Sequence, residues 1–226
     1  MLSRKKAKFF QCLSYWPTYL ILKIFLHFQI KGQENIKDLE KKPLIFASNH
    51  ASLIDASMII VSMPRLRGIF CPKFFPIRSL ATSHFKLHPI RNFLVIFYIW
   101  IHGSIWVNKS NGDLEFSLKE ATDALIQGEK ILIFPEGKRT KTGELQEGKR
   151  GVAFLAKKTK VPIVPVAIIN TFKLARPKNL LLALLGIKRP KVIFGKPFYL
   201  NEFPETPLEN GAREVMEKIK ELILTG

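Results

Sequence analysis

A histidine and an aspartate, His50 and Asp55, close the stretch PLIFASNHASLID. Histidine takes up a proton near neutral pH. A carboxylate bonded to its second ring nitrogen fixes the tautomer and steadies the imidazolium that forms. Together the two side chains would serve as a general base and its orienting acid. On a regular helix a spacing of five turns them about 140° apart, so they meet only if residues 51–54 form a turn. The sequence allows this, because the apolar run ends at Ser48 and Ser52 or Asp55 suits a helix N-cap. Taken alone, the pair favours structural roles, a cap for Asp55 and a loop position for His50, because such a pair recurs by chance.

A second stretch, FPEGKRT, shifts that balance. Glu136 follows Phe134-Pro135 at the end of an apolar run. Gly137 permits close approach of the backbone to a ligand. Lys138 and Arg139 supply charge, and arginine grips phosphate through two parallel hydrogen bonds. With GKRG following at 148–151, the loop reads as a phosphate site rather than a polar turn. A third apolar run, GSIWV, ends at Asn108-Lys109, which adds a cation at another strand end.

The elements around these residues follow from the hydrophobic pattern. HFQIKG, PLIFAS, GSIWVN, KILIFPEG, VPIVPVAII and RPKVIFGKPF read as strands, and RGIFC as a further one. DASMIIVSM, FLVIFYIWIHG, DLEFSLKEATDALIQG, KRGVAFLAKKTK and residues 207–224 read as helices, the third with Asp113 near its start and Gly128 after its end. Residues 72–92, with three prolines among aromatics and bases, fit no one element. Helices alternating with short apolar strands predict an α/β fold with a central, largely parallel sheet covered by helices. In such sheets ligands collect beyond the carboxyl ends of the strands. His50, Lys109 and the 136–139 loop all fall at strand ends.

The 226 residues and 47% hydrophobic composition suit one substantial domain. The expected division is a membrane-associated helical segment over 1–30 and an α/β domain over 31–226. Thirty-six Lys and Arg against 18 Asp and Glu give a formal charge of +18, which points to a polyanionic partner. The first 30 residues mimic a signal peptide, but Lys23 and His27 interrupt the apolar run and no small-residue cleavage site follows. Pro17 and these two residues also spoil a membrane span. A helix lying in the interface or dipping into it, with Arg4, Lys5, Lys6 and Lys8 against anionic headgroups, is the expectation, with a helix packed on the domain and a single span as its alternatives. The leucine-rich stretch ARPKNLLLALLGIKRPKV, too short to cross a bilayer, reads either as core or as a loop dipping into lipid between basic anchors. Cys12 and Cys71 form no disulfide framework or metal pair, so two free thiols and a reducing compartment are expected. The five histidines form no metal-ligand set; His84 and His88 lack a third ligand.

NHASLID, GSIWVNK, FPEGKRT and VPIVPV, in this order, make residues 28–200 resemble the glycerolipid acyltransferases, specifically bacterial-type 1-acylglycerol-3-phosphate acyltransferases. The resemblance implies transfer of a fatty acyl group from acyl-CoA or acyl carrier protein to the sn-2 hydroxyl of 1-acylglycerol 3-phosphate, giving phosphatidic acid. It implies no cofactor beyond the donor thioester. His50 would be the base, Asp55 its orienting acid, Glu136 and Gly137 acceptor-holding residues, and Arg139 the phosphate ligand. The Val-Pro strand would line the acyl side. Attachment to the cytoplasmic face of the inner or plasma membrane follows from the same resemblance. The second block departs from the family pattern, which often carries arginine after an acid where this chain has Asn108-Lys109. No role passes to Lys73, whose surroundings match the family poorly.

Three alternatives stay open at this level: another lyso-lipid or glycerol phosphate as acceptor, a non-catalytic basic membrane-surface protein, and a nucleic-acid-binding protein. The last lacks any recognisable nucleic-acid module, so no nucleic-acid partner is expected. Oligomeric state leaves no mark on the sequence.

Overall fold

The computed structural model describes residues 2–65, 71–82, 89–107, 113–200 and 207–226. Strand β2 (Leu44–Ser48) lies near the middle, buried along its whole length because every residue in LIFAS is apolar or small. It pairs in parallel with β5 (Lys130–Ile133) on one side and β6 (Ile163–Ile169) on the other. Beyond β5 lie β3 (Ile77–Ala81) and β4 (Ile105–Trp106), both parallel to it. Beyond β6 lie β7 (Lys191–Phe194), antiparallel to β6, and β1 (Gln29–Lys31), parallel to β7. The sheet order among the described residues is β1-β7-β6-β2-β5-β3-β4.

Strand alternation sends successive side chains to opposite faces and so builds two cores. Leu44, Phe46, Leu132 and Val164 face α1 (Arg4–Phe25), α2 (Asp55–Val61) and α7 (Pro177–Leu184). Ile45, Ala47, Ile131 and Ile163 face α5 (Lys119–Ile126), α6 (Gly151–Thr159) and α8 (Leu208–Thr225). A largely parallel sheet covered on both faces is the architecture the sequence implies.

Helix α1 is part of the first core. It buries Ala7, Gln11, Tyr15 and Leu22, a stripe at helical spacing. Gln11 is fully buried; its amide donates to the carbonyls of Ile77 and His102 at 2.8 Å each and accepts from the Ile77 N–H at 3.0 Å. The side chain thus completes the backbone bonding of β3, as a neighbouring strand would. Arg78, 1% exposed, bridges Glu129 at 2.6 Å and the carbonyls of Leu2 and Gly103. A boundary at residue 30 therefore separates no independent core.

Several sequence expectations change. Cys12 and Cys71 form a disulfide that ties α1 to the segment entering β3, with Cα atoms 5.2 Å apart. The expectation of two free thiols is corrected, and the compartment inferred from it loses its basis; a pairing 59 residues apart leaves no local pattern to read. DLEFSLKEATDALIQG is two helices, α4 (Leu114–Ser117) and α5, parted where Leu118 leaves helical geometry at φ −112°. Asp113 does cap the first, accepting from the Glu115 N–H at 2.8 Å. Strand β3 lies in the unassigned stretch 72–92. Helix α3 (Pro89–Ile101) starts earlier than the apolar run suggests. The leucine-rich stretch is helix α7. The RGIFC strand, apart from Cys71, and the pair His84 and His88 lie outside the described residues. No helix among the described residues is long and apolar enough to cross a membrane.

Candidate active site

Strand β2 ends at Ser48, and the chain must turn before α2 begins at Asp55. Asn49 anchors the turn: its amide donates to the Ile168 carbonyl at 2.9 Å and accepts from the Ile168 N–H at 2.8 Å. Asp55, fully buried, gathers the turn around one oxygen. Its Oδ2 accepts from the N–H groups of Ala51 and Ser52 at 2.7 Å each and bonds His50 Nδ1 at 3.0 Å. Neither Ser52 nor Asp55 is the N-cap expected of them: Ile54 holds that position with no side-chain cap bond, and the Asp55 carboxylate instead closes the turn before the helix and holds the histidine on the same oxygen. His50 Nδ1 donates to the carboxylate, so Nε2 is left as the basic nitrogen.

The strand-end loop after β5 supports the ring from the other side. Phe134 stacks on the imidazole, with centroids 4.0 Å apart and planes at 17°. Glu136 Oε1 accepts from the His50 N–H at 2.7 Å, and Oε2 accepts from Gln146 N–H and side-chain amide at 3.1 and 2.9 Å. Glu136 is only 2% exposed, and both its oxygens are engaged within the protein. The Thr140 N–H donates to the His50 carbonyl at 2.9 Å, so the loop clasps the histidine backbone at both its polar groups. Gly137 has φ +69°, the left-handed region that disfavours side chains, and a Cβ there would meet Lys149 at 3.2 Å. Lys138 and Arg139 are exposed on the same loop.

The structure therefore brings His50, Asp55, Glu136, Gly137, Lys138 and Arg139 to one sheet edge, at the carboxyl ends of β2 and β5. Lys109 lies outside the described residues. Asn49, Phe134, Thr140 and Gln146 were not singled out in the sequence. Asn49 carries the only usable signal, a polar amide directly after a wholly buried strand. The side chain at 20% exposure, the His50 ring combines a fixed tautomer with access from solvent. That combination suits proton abstraction from a hydroxyl.

The family model described as Acyltransferase matches residues 27–169, which include β2, the His50 turn and the 136–140 loop. The chain belongs to the acyltransferase family. It is 30% identical over 184 residues to a 1-acyl-sn-glycerol-3-phosphate acyltransferase of Saccharomyces cerevisiae, covering 74% of this chain and 53% of the relative. It is 25% identical over 212 residues to a probable 1-acyl-sn-glycerol-3-phosphate acyltransferase of Mycoplasma pneumoniae, covering 90% and 75%. The chain spans about half the length of the yeast and plant relatives it matches. The crystal structure of the 1-acyl-sn-glycerophosphate acyltransferase PlsC from Thermotoga maritima shares the fold, with a TM-score of 0.61 at 23% identity over 98% of this acyltransferase chain and 83% of that one.

Proposed function

We propose that the protein transfers a fatty acyl group from a thioester, acyl-CoA or acyl carrier protein, to the sn-2 hydroxyl of 1-acylglycerol 3-phosphate. The observation that carries this is the 3.0 Å contact between His50 Nδ1 and Asp55, which leaves Nε2 free to act as base beside the exposed cations of the 136–140 loop. The names of the matched relatives support the substrate class. In this reading His50 Nε2 takes the hydroxyl proton as the oxygen attacks the thioester carbonyl. Collapse of the tetrahedral intermediate breaks the C–S bond, and the proton passes from His50 to the departing thiolate. The thioester is already activated, so base, positioning and oxyanion stabilisation suffice, with no cofactor.

Arg139 and Lys138 hold the acceptor phosphate, with Lys109 adding charge. Glu136 acts by fixing the His50 backbone, and Gly137 lets the loop turn. The protein works on an anionic membrane surface, at the cytoplasmic face, with α1 in the interface; Phe9, Leu13, Leu20 and Ile24 form an exposed apolar stripe on it beside Arg4, Lys5 and Lys8.

Thiol release by purified protein in lipid micelles, with and without lysophosphatidate, tests the reading. Release needs lysophosphatidate, and His50→Ala lowers it by about 10²–10⁴-fold while the fold persists. Near-normal turnover of the variant would remove the base. Acyl transfer to non-phosphorylated lyso-lipids at equal rate would remove the phosphate grip. Arg139→Ala raises the acceptor KM with little change in kcat.

A further inference from the structure

Helix α7 reverses the usual arrangement of a surface helix. Its small residue, Ala183, is buried against the core, and Leu180, Leu181 and Leu184 face outward while Leu182 is half-buried. Leu181 and Leu185 are 56% and 63% exposed, and Ile187, just past the helix, is 69% exposed; Leu180 and Leu184 complete the face. An outward apolar face of this kind marks a binding surface. The helix is held firmly. Asn179 donates to the carbonyls of Phe172 and Lys173, Arg189 Nε to the Gly186 carbonyl at 2.8 Å, and His27 Nε2 to the Leu184 carbonyl at 3.1 Å. That last bond fastens α7 to the chain just past the end of α1, beside the exposed Ile24 and Phe25.

Charge identifies the occupant. Lys173, Arg176, Lys178, Lys188 and Arg189 flank the leucines, and no acidic residue lies anywhere between Glu147 and Glu202. Aliphatic side chains ringed by cations, with no acid among them, suit a bilayer containing anionic phospholipid. A protein partner is the poorer fit, because the tip lacks the Trp and Tyr anchors on which protein interfaces depend. We propose that α7 is a membrane-insertion element, separate from α1, whose leucines enter the acyl region while its flanking cations bind anionic headgroups. The inference rests on the lipid-acceptor reading above and deepens it. Phe172, seven residues before Asn179, lies against Gly143 of the loop that follows Arg139, so close that a Cβ on Gly143 would meet its ring at 2.8 Å. Insertion of α7 would thus set the phosphate-holding loop at the height of the headgroups.

The test uses the full chain with Leu181→Glu and Leu185→Glu combined. Both side chains are exposed and outside the catalytic machinery, so the fold and turnover of a short-chain, water-soluble lysophosphatidate stay unchanged. Sedimentation with vesicles of equal parts zwitterionic and anionic phospholipid shows binding weakened by roughly a hundred-fold, about ten-fold for each leucine withdrawn from lipid. Transfer to long-chain lysophosphatidate in those vesicles falls in parallel. A second variant, Lys178→Gln with Arg189→Gln, loses the preference for anionic over neutral vesicles. Unchanged vesicle binding by the leucine variant overturns the proposal. So does a wild-type dimer in solution that the leucine variant dissociates, which would assign the face to a second copy. Failure of the wild type to acylate the soluble acceptor strikes at the acyltransferase reading instead and leaves the vesicle result to stand on its own.

Discussion

Asp55 Oδ2 serves three donors, the ring of His50 and the two N–H groups of its turn, so base and turn depend on one atom. Asn at position 55 can present one oxygen to these donors but not the charge that steadies an imidazolium. Asp55→Asn therefore lowers kcat by about 10²-fold or more with acceptor KM little changed, measured by initial rates of thiol release. Glu136 makes a sharper case, because its residue type suggests substrate contact while its surroundings show a buried clamp. Gln in its place must turn an NH2 group toward either the His50 N–H or the Gln146 donors, leaving a buried clash of donors. Glu136→Gln accordingly costs about 1–3 kcal/mol of stability and lowers kcat, while acceptor KM holds. A rise in KM alone would return the residue to the phosphate site. The motif residues were legible in the sequence because their types carry chemistry. Glu136's actual partners were not, since one lies 86 residues away at the His50 backbone and the other ten residues away across a loop.

At the level of elements, the strands dominated by apolar residues were legible: LIFAS, KILI and IVPVAII each lie buried at the sheet centre, where no alternation is needed. Strand β3 was hidden because its surroundings override its pattern. IRSLA carries an arginine that tertiary partners, Glu129 and the carbonyls of Leu2 and Gly103, make tolerable inside. Neighbouring Lys130 shows the same effect at the start of β5. Burial, aided by the charge of Arg4 and offset by Glu40 and Glu129, pushes its pKa down from 10.5 to about 8. Between these values the unfolded chain binds more protons than the native one, so Lys130 makes stability rise with pH over that window. Below about pH 8 the charged amine is a burden in full; above about 10.5 the burden is gone. Lys130→Met flattens the rise, read as the difference between the denaturation midpoints of the two proteins at pH 7, 9 and 10.5.

Across the whole molecule the charges are sorted along the chain. Residues 1–33, 56–112 and 148–201 contain no Asp or Glu, and these segments carry α1, α3 and α7 with their exposed apolar side chains. The same α1 that would face lipid is also a structural member. It gives Tyr15 and Leu22 to the core under the sheet, Gln11 to β3, and Cys12 to the bond with Cys71. By chain entropy alone, a cross-link closing a loop of that length stabilises by about 4 kcal/mol. A helix that is merely an anchor could be removed and leave a soluble enzyme. Here removal of residues 1–26 takes Tyr15 from the ring of Phe75, strips the Ile77 backbone of its bonds to Gln11, and frees Arg78 from the Leu2 carbonyl. Each buried polar group so orphaned costs about 1–3 kcal/mol, against a total stability of about 5–15 kcal/mol. The truncated chain is therefore expected to lose its cooperative thermal transition and its acyl transfer together, followed by near-ultraviolet circular dichroism and thiol release. A truncated protein that melts cooperatively and still acylates a soluble lysophosphatidate would show that α1 is an attachment, and that the core closes without it.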